Sequence, residues 1–300
     1  MKTVIISLLS FFFIIGTASA EMITEYEDGA LIIKKASTNE VKDFFRRHPY
    51  EYAVQQAEIP KIYFKRLPYD WNRTPENAAK NRTFIRILLP LVLKVNEEIL
   101  QDRNKIIELY GKLDIEGQLS KQDEEYIQKL AALYDAYTPM KGTEGLKILI
   151  KQLINKVDAV PPSIMISTAV IYSNWGTSKL AVEDNSLYKE EVWYTNQGRK
   201  PQDDDDGDYR YKIYTDLEDG IRARALKINS HINYDYFRHT RLHQRKMGKD
   251  PNGVSLAAQM MFDSNIKNIG GMIDYTLSFY KLQYTDSSPR LVDFITDEQP

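Results

Sequence analysis

Phe84, Leu88, Leu91, Val92, Val95 and Ile99 recur at three- and four-residue steps, and the pattern continues to Leu109. One apolar stripe therefore runs along a helix from about Pro75 to Leu109. A chain that commits this much sequence to one amphipathic helix must bury the stripe against further helices, which points to a mostly α-helical body. Pro90 falls inside the run and, having no amide hydrogen to donate, is expected to kink it.

Other helical stripes follow. Ser120 with Asp123 has the form of a capping box with Asp in place of the usual Glu, and it opens a helix with Ile127, Leu130, Ala131 and Tyr134 on one face, ending near Thr138-Pro139. Leu146, Leu149, Ile150, Leu153, Ile154 and Val157 mark a third. After Pro161-Pro162 a fourth runs from Ser163 to about Asn174, with Ile164, Met165, Thr168, Ala169 and Tyr172 near one face and Gly176 as its stop. Between Glu190 and Tyr214 two aromatic, alternating stretches flank a polar turn, the pattern of a projecting β-hairpin. Helical periodicity resumes at Asp219 and again over 254–261 and 272–280. Ahead of all this, Ala30-Leu31-Ile32-Ile33 and Ile62-Tyr63-Phe64 look like short extended pieces on either side of polar STNEVKDFFRRHPYE. The expected organisation is an extended N-terminal segment over 21–74, a helical extension over 75–138, a main domain over 140–286 and a loose tail over 287–300.

The first twenty residues have one lysine, an apolar run from Val4 to Ile15 and an Ala18-Ser19-Ala20 end, so a signal peptide cleaved after Ala20 is expected, with the mature protein secreted or periplasmic and without a membrane span. The chain has no cysteine, which removes disulfides, thiolate nucleophiles and zinc-thiolate sites. With 40 Lys and Arg against 42 Asp and Glu in 300 residues, the net charge of −2 gives no electrostatic reason to propose nucleic acid as a partner. No pattern asks for a cofactor or a metal. His239 and His243 stand four apart on a helical stretch, without the intervening Glu of a zinc hydrolase. Asp203 to Asp206 would make a calcium loop only with Gln202 and Ile213 in ligand positions, so a solvated hairpin tip is the expected reading.

The stretch PPSIMISTAVIYSNWGTSKLAVEDNSLYKEEVW resembles the bacterial peptidoglycan glucosaminidases, whose motif runs Pro-Ser, an Ala-containing helix, Glu-Ser-x-Trp-Gly-x-Ser, then Asn-Asn-Leu-Phe-Gly. RLPYDWNRTPENAAKNRTFIRILLPLVLKVNEEI and DLEDGIRARALKINSHINYDYFR are similar to segments of the Bax-type branch of that family. The resemblance implies a lysozyme-like helical domain with a small β-lobe over 140–286. It also implies peptidoglycan glycan strands containing N-acetylglucosamine as the ligand.

The departures from the motif bear on the chemistry. Glycoside hydrolysis needs a carboxylic acid to protonate the leaving oxygen and usually a second carboxylate as base or nucleophile. Tyr172 stands where the family has the acid. A phenol with a pKa near ~10 is a poorer donor by roughly four units than a glutamic acid tuned to ~6. Tyr209-Arg210-Tyr211 falls where Bax-type members carry His-Glu-Val, which puts Arg210 at the second carboxylate, and Lys189 replaces a family glycine.

Trp175, Tyr188, Trp193, Tyr194 and Tyr234 are candidate stacking platforms, with a core role the alternative for Trp175. Asn185 either binds an acetamido group or holds its turn. A relocated acid could come from Asp206, Asp208 or Glu98, although the Glu97-Glu98 pair also reads as a solvated helix face and Glu183 as a loop carboxylate. Three readings stay open: a glycan-binding protein that has lost hydrolysis, an active endo-β-N-acetylglucosaminidase with a relocated carboxylate, and a module that binds an envelope protein.

Overall fold

A computed structural model of the chain describes residues 22–201, 208–260 and 266–295. The signal peptide expected over 1–20 and the acidic tip with Asp206 lie outside the described residues.

Strand β1 (Ile23–Glu27) turns at Asp28 and Gly29, both in the left-handed region, and pairs antiparallel with β2 (Ala30–Lys35). The polar stretch that follows was expected as part of an extended segment but forms a helix, α1 (Thr38–Arg47). Its start is a full capping box: the Ser37 hydroxyl accepts from the Glu40 amide, and the Glu40 carboxylate accepts from the Ser37 amide at 2.6 Å. Val41, Phe44 and Phe45 form its buried face. Strands β3 (Glu58–Pro60) and β4 (Ile62–Phe64) follow, and β4 pairs parallel with β2.

The long helix α2 spans Ala78–Glu116, capped by the Asn77 side chain and ended by Gly117 at φ +74°. It continues unbroken through Pro90. Pro90 has no N–H for the carbonyl of Arg86 one turn back, and the phenol of Tyr50 donates to that oxygen instead at 2.7 Å. Burial pushes the Tyr50 pKa well above the ordinary tyrosine value, so the phenol remains a donor across the working pH range. Replacing Tyr50 with Phe leaves the carbonyl unpaired and is expected to cost about 1–2 kcal/mol, read as a lowered urea midpoint at unchanged slope.

Helix α3 (Lys121–Leu133) starts at Ser120, whose hydroxyl accepts from the Asp123 amide and donates to its carboxylate. It stops earlier than Thr138, because Asp135 turns left-handed at φ +54° and Lys156 Nζ takes the carbonyls of Tyr134 and Asp135 at 2.9 and 2.7 Å. Lys156 closes α4 (Gly142–Lys156).

Helix α5 (Pro162–Ser173) is buried on every side except at Ile171, rather than along one stripe, and packs against α2 and later helices. Its small hydroxyl residues make this possible by bonding within the helix: Thr168 donates to Ile164 O and Ser173 to Ala169 O.

Helix α6 (Lys179–Asp184) leads into the hairpin β5 (Glu191–Trp193) and β6 (Tyr209–Tyr211), paired Val192 to Arg210. Then come α7 (Leu217–Ser230), a 3₁₀ turn at Ile232–Tyr234, α8 (Asp235–Lys246), the short α9 (Gly253–Leu256), α10 (Ile269–Phe279) and a 3₁₀ turn at Leu282–Asp286. The described residues thus form a mostly α-helical protein with small sheets, and among them no helix is long and apolar enough to cross a membrane.

The tail over 287–300 was expected to be loose, yet its described part is held. Strand β7 (Arg290–Val292) pairs parallel with β3, and Phe294 is buried against Phe44 and His48. The Phe294 amide donates to Gly29 O at 2.7 Å, and Lys61 pairs with Asp293 at 2.6 Å. The N-terminal strands are docked in turn, since Lys65 pairs with Asp216 at the start of α7 and buried Trp71 donates its indole N–H to Trp175 O at 2.8 Å.

Candidate functional site

The end of α5 sets the site. Asn174, Trp175 and Gly176 take three successive left-handed conformations at φ +49°, +57° and +74°. For a tryptophan this is strained backbone, at a cost of order 1–3 kcal/mol. Ser173 holds the turn by accepting from the Gly176 amide at 2.7 Å. Gly176 has no substitute, because a Cβ there would stand 2.6 Å from Phe84 and 2.7 Å from Leu67.

Tyr172, two residues before this turn, faces α7. The guanidinium of Arg224 lies over its ring at 5.6 Å and over the rings of Tyr188 and Tyr234 at 5.5 and 5.6 Å. Arg224 also donates to the Tyr234 hydroxyl at 3.1 Å. Arg224 is 1% exposed and the three tyrosines are 8%, 3% and 1% exposed, so four segments close on one desolvated cation–π cluster. Tyr188 donates to Met165 O, and burial raises its pKa. Tyr188 and Tyr234 are therefore cage walls inside the core and offer no open stacking face.

Among the other expected ligand contacts, Asn185 sits left-handed at the end of α6 and donates to Tyr214 O and Thr215 O at 3.1 and 3.0 Å, which is the turn-holding role. Lys189 takes φ +49°, accounting for a glycine preference there as a matter of backbone conformation. Trp193 is 55% exposed and packs on Tyr209 across the hairpin at 5.2 Å, with Tyr194 beside it. Arg210 is half-buried and shares a groove of about 240 Å³ with Tyr194, Thr195, Asn196, Asp208 and Tyr209. Trp175 belongs elsewhere: it is half-buried, with Phe84 at 6.0 Å and Tyr280 at 4.7 Å. The seven aromatic and arginine candidates thus fall into three neighbourhoods: Tyr172, Tyr188 and Tyr234 in the cage, Trp193, Tyr194 and Arg210 at the hairpin, and Trp175 beside Phe84 and Tyr280.

The candidate acids divide similarly. Glu98 is engaged by Arg222, which also holds Glu218, so it is a surface ion pair between α2 and α7 rather than a free acid. Glu183 and Asp184 both grip Arg199. Asp208 is exposed on the turn side of the hairpin strands, next to Tyr209. Glu97 lines a separate cavity, where burial raises its pKa.

Sequence reasoning missed one acid. Glu190, 3% exposed at the start of the hairpin, accepts from the Tyr214 hydroxyl at 2.9 Å and lies 3.7 Å from Lys212, and its Oε1 is buried with no hydrogen-bond partner among the described residues. Burial together with the Glu190 charge lifts the Tyr214 pKa. The Glu190-Glu191 pair before an alternating strand was the available signal, since alternation turns one of two adjacent acids inward. His239 is exposed and lies 3.5 Å from Asp235, and no group of three or more His, Asp or Glu among the described residues is arranged to hold a metal.

No family model matches the chain. Over 190 residues it is 25% identical to Protein bax of Escherichia coli (strain K12), a match that takes in 62% of this chain and 64% of the length of that protein. Among solved structures, the catalytic domain of the autolysin Auto from Listeria monocytogenes superposes with a TM-score of 0.36 and 12% identity, over 71% of this chain and 90% of that one.

Proposed function

We propose that this chain is a glucosaminidase-family envelope protein, lysozyme-like in its main domain, that binds N-acetylglucosamine-containing glycan strands of peptidoglycan without hydrolysing them. One observation carries the reading: Tyr172, which the motif resemblance puts at the position of the family acid, is packed in a closed cage on the Arg224 guanidinium. A general acid must reach the glycosidic oxygen and give up a proton to it. A phenol is too weak an acid for this, and a ring 8% exposed has little room for a sugar. Loss of a positioned acid alone lowers rates by about 10²- to 10⁴-fold. Arg210, which keeps its proton at every working pH, cannot serve as base or nucleophile. The similarity to Protein bax supports the family assignment, and the signal-like first twenty residues support a place outside the cytoplasm.

The test is reducing-end release from purified sacculi, with pelleting measured on the same samples. Pelleting without release is expected. Release by the wild-type protein would refute the reading, while an absence of both would point to an envelope protein partner. Glu190 favours one alternative, an active enzyme with a relocated carboxylate, because its unpaired oxygen is buried beside the cage residue Tyr188. If release occurs, Glu190→Gln should abolish it on that alternative.

A further inference from the structure

Trp175, separated from the cage, opens onto a groove of about 390 Å³ between the end of α5 and α10, within the size range of small-ligand pockets. Its lining includes Asn174, Trp175, Asn268, Met272, Tyr275 and Thr276. None of these is charged. One turn further along α10 from Tyr275 lies Phe279, and the two rings stack at 5.7 Å with their planes 23° apart. Tyr275 is 65% and Phe279 61% exposed, an unusual outlay of aromatic surface on a helix whose other face packs on α5.

The platform is fixed from behind. Tyr280 sets its edge against both Phe279 at 4.9 Å and Trp175 at 4.7 Å, and the Tyr280 hydroxyl accepts from the Asn81 amide at 2.9 Å. Rings held in this way lose little freedom when a ligand covers them. At the rim, Asn174 donates to Thr177 through its amide nitrogen, and Thr276 donates to Met272 O, which leaves acceptor capacity on both side chains.

We infer that this groove is a second saccharide-binding site, in which a neutral pyranose lays its C–H face on the Tyr275-Phe279 platform and points hydroxyl or acetamido groups at Asn174, Asn268 and Thr276. Among the described residues the lining carries no charge, which disfavours phosphate-bearing ligands, and the amides at the rim suit a ligand with hydroxyl and amide groups over a purely apolar one. The choice of N-acetylglucosamine as the sugar rests on the reading of the chain as a glycan binder.

The chain has three tryptophans, Trp71, Trp175 and Trp193, so three indole N–H resonances report on the core, the groove and the hairpin separately. Titrating the protein with the soluble tetramer of β-1,4-linked N-acetylglucosamine should move the Trp175 resonance saturably. The double variant Tyr275→Ala with Phe279→Ala, which alters only exposed rings, should raise the midpoint of that movement about tenfold while leaving any Trp193 response in place. Movement of Trp193 alone would overturn the groove and leave glycan binding standing. Silence of all three resonances would overturn the groove alone if sacculi still pellet the protein, and both readings if they do not. A Trp175 resonance that shifts with protein concentration and not with sugar would instead assign the groove to a second copy of the chain.

Discussion

Replacing Asp158 with alanine is expected to lower folding stability by about 3–5 kcal/mol. Asp158 is 1% exposed and sits just past the end of α4 among three arginines: Arg245 at 3.0 Å, Arg103 at 3.7 Å and Arg241 at 3.9 Å. Arg241 is itself fully buried and donates to the carbonyls of Asn155, Lys156, Asp158 and Ala159, satisfying the last turn of α4 and the chain beyond it. Without the carboxylate, the buried guanidiniums of Arg241 and Arg103 face each other with their charge unbalanced. Burial by itself would raise the Asp158 pKa, but Arg241, Arg245 and Arg103 outweigh it and hold the group below the ordinary aspartate value. A depressed folded-state pKa places the stabilisation above the unfolded-state value and removes it as pH falls through the folded-state value. The wild type should therefore lose stability in the acid range below about pH 4, and Asp158→Ala should flatten that limb. Urea unfolding at pH 7 and at descending pH gives both measurements, and a variant within about 1 kcal/mol of wild type at pH 7 would contradict the account.

None of this cluster was legible in the sequence. Asp158 follows a helix in an unremarkable KVDAV, Arg103 lies more than fifty residues before it and Arg241 and Arg245 more than eighty after it, so only tertiary packing brings them together. What periodicity reaches, it reached: the stripes of α2, α4 and α7 and the alternation of the hairpin each follow from a pattern repeated over several turns or residues. Helix α1 was missed although Ser37-x-x-Glu40 announced it, because the polar run around it hid three apolar residues at helical spacing. Strand β7 is three residues long, too short for alternation to register, and its pairing with β3 crosses more than two hundred residues.

The site was half legible for a related reason. The motif marked Tyr172 as a departure, but the partner of that departure, Arg224, lies on a helix whose sequence reads as an ordinary amphipathic stripe with basic residues. The contact itself is favourable, since a cation–π interaction gives a buried guanidinium a suitable neighbour where a phenol stands. Trp175 illustrates the opposite case. Its place in the motif grouped it with Trp193, whereas three left-handed residues in succession turn it toward α10.

The contact between Tyr172 and Arg224 determines how a carboxyl placed at position 172 is expected to behave. Tyr172→Glu is expected to leave reducing-end release from sacculi at background, because the introduced carboxyl would lie within reach of the Arg224 guanidinium, now 5.6 Å from the tyrosine ring. An opposite charge at such range favours the ionised form by about 1–3 pKa units, whereas a working glycosidase acid needs its pKa raised toward neutrality to hold a proton. Adding Arg224→Leu removes the cation and leaves the carboxyl in a desolvated pocket, where burial acts alone and in the opposite direction. Following the carboxyl carbon resonance of the introduced side chain against pH in the two variants should thus place the single variant below the ordinary glutamate range and the double variant above it, a separation of at least about two units. Coincident titrations, or release of reducing ends by the single variant, would mean that Arg224 does not govern the protonation of a carboxyl at position 172.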